Sequence, residues 1–136
     1  MRFLTALALG AVLAAPARAT WSIVVANAAT GEVCVASATC LSNFDLQRML
    51  PVIVPGVGAG ASQSVIDTDG LRRMLMWQQL QQGLSPAEIL VNLGALPNPQ
   101  GRQYGLVSFG QAPATFTGSN VPVPVLVDLT FQSGAR

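Results

Sequence analysis

Apolar and polar positions change their period several times along the chain. From Phe3 to Ala15 the residues are apolar almost without interruption. From Thr20 to Asn27 the sequence is β-branched and aromatic, with Trp21, Ile23 and Val25 in phase on one face, which predicts a strand. Asn27 to Gly31 is turn-like, and Val33 to Thr39 reads as a second strand, so the two form a hairpin. Leu41 to Leu50 is irregular, with room for a helical turn capped by Asn43 or Asp45. Val52 to Val57 is a β-type run whose Pro55 places it at an edge or a bulge. Gly56, Gly58 and Gly60 follow, then Ala61 to Ser64.

Helical spacing takes over after Asp67, Thr68 and Asp69, each of which can cap a helix of about 14 residues ending at Gln82. Its apolar residues cover more than half of the circumference, which predicts burial or packing on two sides. Met74, Met76 and Trp77 are read as core, and Arg72-Arg73 as a solvated edge. Gly83 stops this helix. Ser85-Pro86-Ala87-Glu88 starts another with a capping box and proline at the first helical position, and it runs to about Gly94. Gln103 to Phe109 and Ala114 to Gly118 read as a hairpin, and Val123 to Phe131 as a further β-type run. Strand hairpins on either side of a helix pair make the fold class α+β and exclude a doubly wound parallel sheet, in which strands and helices alternate.

The opening segment changes the picture of where the protein works. Met1-Arg2, the apolar run, Pro16 and Ala17-Arg18-Ala19 form a secretory signal peptide over residues 1–19. The run is shorter than the ~20 residues that span a bilayer. The expected location is therefore secreted or periplasmic, with membrane contact only through the leader. Cleavage removes two of the seven basic residues and leaves a side-chain balance of one negative charge. Such a chain has no electrostatic footprint for nucleic acid. With no histidine, a Ser-His-Asp triad is excluded, and neither a metal nor another cofactor is expected. If Val33 to Cys40 is one straight strand, Cys34 and Cys40 lie about 20 Å apart at ~3.3 Å per residue. A disulfide needs Cα atoms within ~7 Å, so pairing requires a sharp turn near Ser37 to Thr39. The reading is two buried small apolar residues, with a disulfide as the alternative.

Cleavage after Ala19 makes Thr20 the first residue of the mature chain. A terminal threonine carries a nucleophilic hydroxyl and, in its free α-amine with a pKa of about 7.7–8.0, a general base. That pairing supplies a base to a chain without histidine. The bland alternative is a small polar residue tolerated at a cleavage site.

The motifs point further. Thr20-Trp-Ser-Ile-Val and Thr30-Gly-Glu-Val-Cys-Val-Ala-Ser-Ala38 resemble the start of the DUF1028 family, a domain of unknown function. Val57-Gly-Ala-Gly-Ala-Ser-Gln63, Gly83-Leu-Ser-Pro-Ala-Glu-Ile-Leu90, Arg102-Gln-Tyr-Gly-Leu-Val107 and Ala114-Thr-Phe-Thr-Gly118 resemble later segments of that family, in the right order. The family is classed with the N-terminal nucleophile (Ntn) hydrolases. The resemblance therefore implies at least part of a four-layer α-β-β-α sandwich and a catalytic first residue. It makes Thr20 the expected nucleophile of an amidohydrolase, with cell-wall peptide as the candidate substrate.

An amide-cleaving site needs donors for an oxyanion. Ser62 and Gln63 are the candidates, or else an exposed strand end. Ser22 and Ser37 are expected to line the cleft, or to be polar residues satisfied between sheets. Gly60 is expected to let backbone approach a substrate, or to serve a bulge or close strand packing. With no lysine in the chain, Arg48 or a backbone dipole is the candidate to tune the terminal amine. Residues 119–136 resemble none of the family's later segments. The expected organisation is thus an Ntn-type domain over 20–118 lacking its C-terminal part, followed by a divergent tail. The competing class is a non-catalytic exported envelope or assembly protein on an inactive copy of the fold.

Overall fold

The computed structural model describes residues 20–121. The expected signal peptide over residues 1–19 and the β-type run expected over Val123–Phe131 lie outside them. Strand β1 (Thr20–Asn27) pairs antiparallel with β2 (Glu32–Thr39), with Thr20 opposite Thr39 and Asn27 opposite Glu32. A short helix α1 (Leu46–Met49) starts on the side chain of Asp45, which accepts from the Arg48 amide. Strand β3 (Pro51–Val54) then turns into β4 (Gly58–Ser64). Helices α2 (Leu71–Gln81) and α3 (Pro86–Gly94) follow, and β5 (Arg102–Ser108) and β6 (Ala114–Thr117) close the second sheet in the order β3-β4-β5-β6. The fold is α+β, with two antiparallel sheets and a few helices. β3 is an edge strand, as Pro55 beside it suggested.

The four-stranded sheet is covered on both faces. A side chain at Gly60 would meet Met76 of α2, whereas one at Gly105 would meet Val24 of β1, so α2 and the hairpin lie on opposite sides. Val52, Val54, Met76, Leu80, Ile89, Leu93, Tyr104 and Leu106 form the core between this sheet and the helices. Among the described residues the layers are therefore helix, sheet, hairpin. No described element covers the hairpin's outer face, where Trp21 is 52%, Ile23 52% and Val25 46% exposed.

That phase explains one correction. Val33 and Val35 turn towards the second sheet, so Cys34 between them points outwards. Cys34 and Cys40 are both exposed free thiols, not buried apolar residues.

A second correction concerns α2. It packs on one side only: Met76 and Leu80 are buried, while Leu71, Met74 and Trp77 stay exposed. Arg72, expected in solvent, is buried instead. Its Nε donates to the Tyr104 hydroxyl at 3.1 Å, and its Nη2 donates to the Pro97 carbonyl. Asp67, fully buried, lies 3.6 Å from Arg72 and 3.5 Å from Arg73. Its carboxylate also accepts from the amides of Arg72 and Arg73. The N-cap position is Gly70 in a left-handed conformation, without a side-chain cap, so Asp67 caps from upstream. The Arg72 guanidinium that composition would send to water instead lies inside, beside the Asp67 carboxylate.

α3 begins as its sequence predicts. Ser85 Oγ accepts from the Glu88 amide at 3.3 Å, and Glu88 accepts from the Ser85 amide at 2.8 Å. Ser85→Ala is expected to lower stability by about 1 kcal/mol, read as a fall of ~4–8 °C in Tm.

Tyr104 gives a separate test, because it is the only tyrosine in the chain. Burial raises its pKa above the ordinary 10.0, and the Arg72 N–H donated to its oxygen only partly opposes this. The neutral phenol is therefore favoured in the folded state. That contribution is complete below the unfolded pKa and is lost as pH rises through the folded one. Ultraviolet titration should place the folded midpoint above 10.0, with the denaturant midpoint falling across the same alkaline range.

Candidate functional site

Strand alternation sends Thr20, Ser22 and Val24 of β1 inwards, together with Val35, Ser37 and Thr39 of β2. Polar residues occupy the Thr20 end of this interface and valines the other. At the polar end the hairpin faces the last residues of β4, and there Gln63 reaches across. Its Nε2 donates to the Thr20 main-chain carbonyl at 3.1 Å and to Gln103 Oε1 at 3.2 Å. Its Oε1 accepts from Ser22 Oγ. Ser22 thereby uses its only proton, so Ser37 is the donor in the 3.0 Å bond between the two serines. Thr20 Oγ1 lies 2.9 Å from Thr39 Oγ1, which also accepts from the Leu41 amide. Thr20, Ser22, Ser37 and Gln63 are thus one hydrogen-bonded group.

Thr20 and Gln63 stand at the wall of a narrow crevice. Leu41, Phe44, Leu46, Met49, Leu50 and Ile66 line the rest of it, with Ser62 and Ser64. The crevice is partly open to solvent and has room for about one water-sized group. Among the described residues, no charged side chain lines it. Arg48 is exposed on α1 and is not part of the wall.

Two of the expected residues sit differently. Ser62 pairs across the sheet with Tyr104 and shares its helix-facing side, opposite to Gln63. It reaches the crevice as part of the wall, and its Oγ is buried without a hydrogen-bond partner. Gly60 does not line the crevice. A Cβ there would lie 3.2 Å from Met76 Sδ and 3.3 Å from the Gly105 carbonyl, so its lack of a side chain serves helix-on-sheet packing.

The structure adds residues that pattern reading left out. Thr39 follows from hairpin register once the turn is placed. Gln103 adjoins Arg102 in a motif that was noted, but nothing local marks it as the partner of Gln63. The apolar wall comes mostly from the irregular 41–50 stretch, joined by Ile66, and no local pattern there marks it as a wall.

A family model described as "Family of unknown function (DUF1028)" matches residues 20–130. No curated protein and no solved structure gives a significant match.

Proposed function

The chain belongs to the DUF1028 family, and from that premise we propose that it is an exported amidohydrolase whose nucleophile and base are both supplied by Thr20. The observation that carries the reading is the position of Thr20. It is the first residue of β1, points between the sheets, and lies at the crevice wall with its carbonyl held by Gln63. Signal cleavage after Ala19 adds a free α-amine on the same residue.

With Thr39 donating to it, Thr20 Oγ1 keeps its own proton for the amine to take. Oγ1 bonds to the amide carbonyl carbon, the C–N bond breaks, and the proton passes to the leaving amine. Water then adds to the Thr20 ester, the ester C–Oγ1 bond breaks, the acid leaves and the hydroxyl regains its proton. Gln63 supplies the oxyanion donor by turning an amide hydrogen away from Gln103 Oε1. A bond to a charged acceptor is roughly twice as strong as the neutral one it replaces. Ser22 and Ser37 position Gln63 through the Ser22–Gln63 bond. A hydroxyl-directed β-lactone should acylate the mature protein at Thr20, and equal labelling of Thr20→Ala would refute the mechanism.

The second reading is a non-catalytic module of the cell envelope. The outward apolar face of Trp21, Ile23 and Val25 favours it, since such a face suits assembly. It requires that no acyl adduct form.

A further inference from the structure

Hairpin register places a second hydroxyl against the proposed nucleophile. Thr20 and Thr39 face each other across the β1–β2 ladder, both half-buried between the sheets. Their Oγ1 atoms lie 2.9 Å apart, and either can donate while Thr20 is a free hydroxyl. Thr39 Oγ1 also accepts from the Leu41 amide at 3.2 Å. The Thr39 proton is therefore left for another oxygen. An amide that donates into a hydroxyl polarises it and makes it a stronger donor.

Acylation removes the choice of direction. In the Thr20 ester, Oγ1 has exchanged its proton for the acyl carbon and can only accept. Thr39 is then the donor, on the atom that must leave when the ester breaks. We infer that Thr39 is a catalytic residue of the deacylation half of the reaction, where it activates Oγ1 as a leaving group. This rests on the Thr20 mechanism proposed above. Water adds to the ester carbonyl carbon and its proton passes to the α-amine, so the carbonyl oxygen carries the negative charge. When the carbonyl re-forms, the C–Oγ1 bond breaks and its electron pair stays on Oγ1. The Thr39 hydrogen bond strengthens as charge develops there, until the ammonium returns a proton to Oγ1. In acylation the bond that breaks is the one to the substrate's own leaving group. Thr39 therefore acts chiefly on the second step.

The test uses the mature chain, a β-lactone and intact mass spectrometry of acid-quenched samples, counting only adducts that hydroxylamine releases. Two rates are read separately: formation of the Thr20 adduct, and its return to the unmodified mass once the reagent is removed. Thr39→Val keeps the branched shape and loses the hydroxyl. It should form the adduct at nearly the parental rate and lose it at least ~10-fold more slowly, the lower end of what a donor to a charged oxygen contributes. Thr39→Ser keeps the hydroxyl and should restore the parental loss. A purely structural role would move both rates together. The assignment is wrong, while the Thr20 mechanism stands, if the valine variant loses the adduct as fast as the parent, if formation slows as much as loss, or if serine restores nothing. It is equally wrong if the parent sheds its adduct no faster than the same ester of N-acetylthreonine in the same buffer. Circular dichroism checks the fold, and Thr39→Ala is read in the same way where the valine variant does not fold. If the parent forms no adduct on Thr20, the mechanism itself fails and the Thr39 role with it.

Discussion

Asp67→Ala is expected to cost about 3–5 kcal/mol of folding stability, measured as a fall in the urea midpoint with little change in slope. The reason is the company Asp67 keeps. It is fully buried, contacts two guanidinium groups and accepts from two amides at the start of α2. Removing it leaves Arg72 charged in a buried position, bonded to the neutral oxygens of Tyr104 and Pro97, with Asp69 as the remaining carboxylate near it. It also leaves the Arg72 and Arg73 amides in the first turn of α2 without their acceptor, since Asp69 takes only the Leu71 amide. Domains of this size have about 5–15 kcal/mol in total, so the variant should be marginal or partly unfolded at room temperature. Asp67→Asn keeps an acceptor for one amide but loses the charge, and its midpoint should fall between those of parent and alanine variant. Equal stability of all three would mean that the arginines are neutralised by something other than Asp67.

Thr20→Ala should reduce acyl-enzyme formation and turnover by at least about 10³-fold, the scale seen when a nucleophile is deleted from a working site. Folding should hardly change, since Thr20 is only partly buried at a strand end. Thr20→Ser keeps both the hydroxyl and the amine and should retain measurable turnover. A variant that keeps Thr20 but leaves Ala19 attached should be as inactive as Thr20→Ala, because the base becomes an amide nitrogen. Those three results together separate an N-terminal nucleophile from an ordinary surface threonine. If the Ala19-extended protein is fully active, the base is some other group.

The elements with strong local signals were legible in the sequence. The β1–β2 hairpin shows β-branched alternation around a turn, α3 shows a capping box, and β5 and β6 alternate around a Gly-containing turn. β4 was not legible from its pattern alone. Gly58 to Ser64 has no apolar period, because Gly60 must admit Met76 and the strand is packed on both faces. It was visible only through its resemblance to a family strand. Arg72 was misread for a related reason: its partners Asp67, Tyr104 and Pro97 are brought together only by the tertiary fold. The direction of Trp21, Ile23 and Val25 was likewise not in the pattern, since alternation fixes which residues share a face and not which face meets the core. At the candidate site, Thr20, Ser22, Ser37 and Gln63 could be named from alternation and motif. Thr39, Gln103 and the apolar wall depend on hairpin register and on how α1 folds back, and those are long-range facts.

Expression of the full precursor with export, followed by intact mass measurement before and after treatment with the β-lactone, tests the central idea most directly. The account predicts a polypeptide that starts at residue 20 and gains one acyl group on that residue, held as an ester that hydroxylamine releases. A start anywhere else, a blocked amine, or an adduct on some other side chain would contradict it.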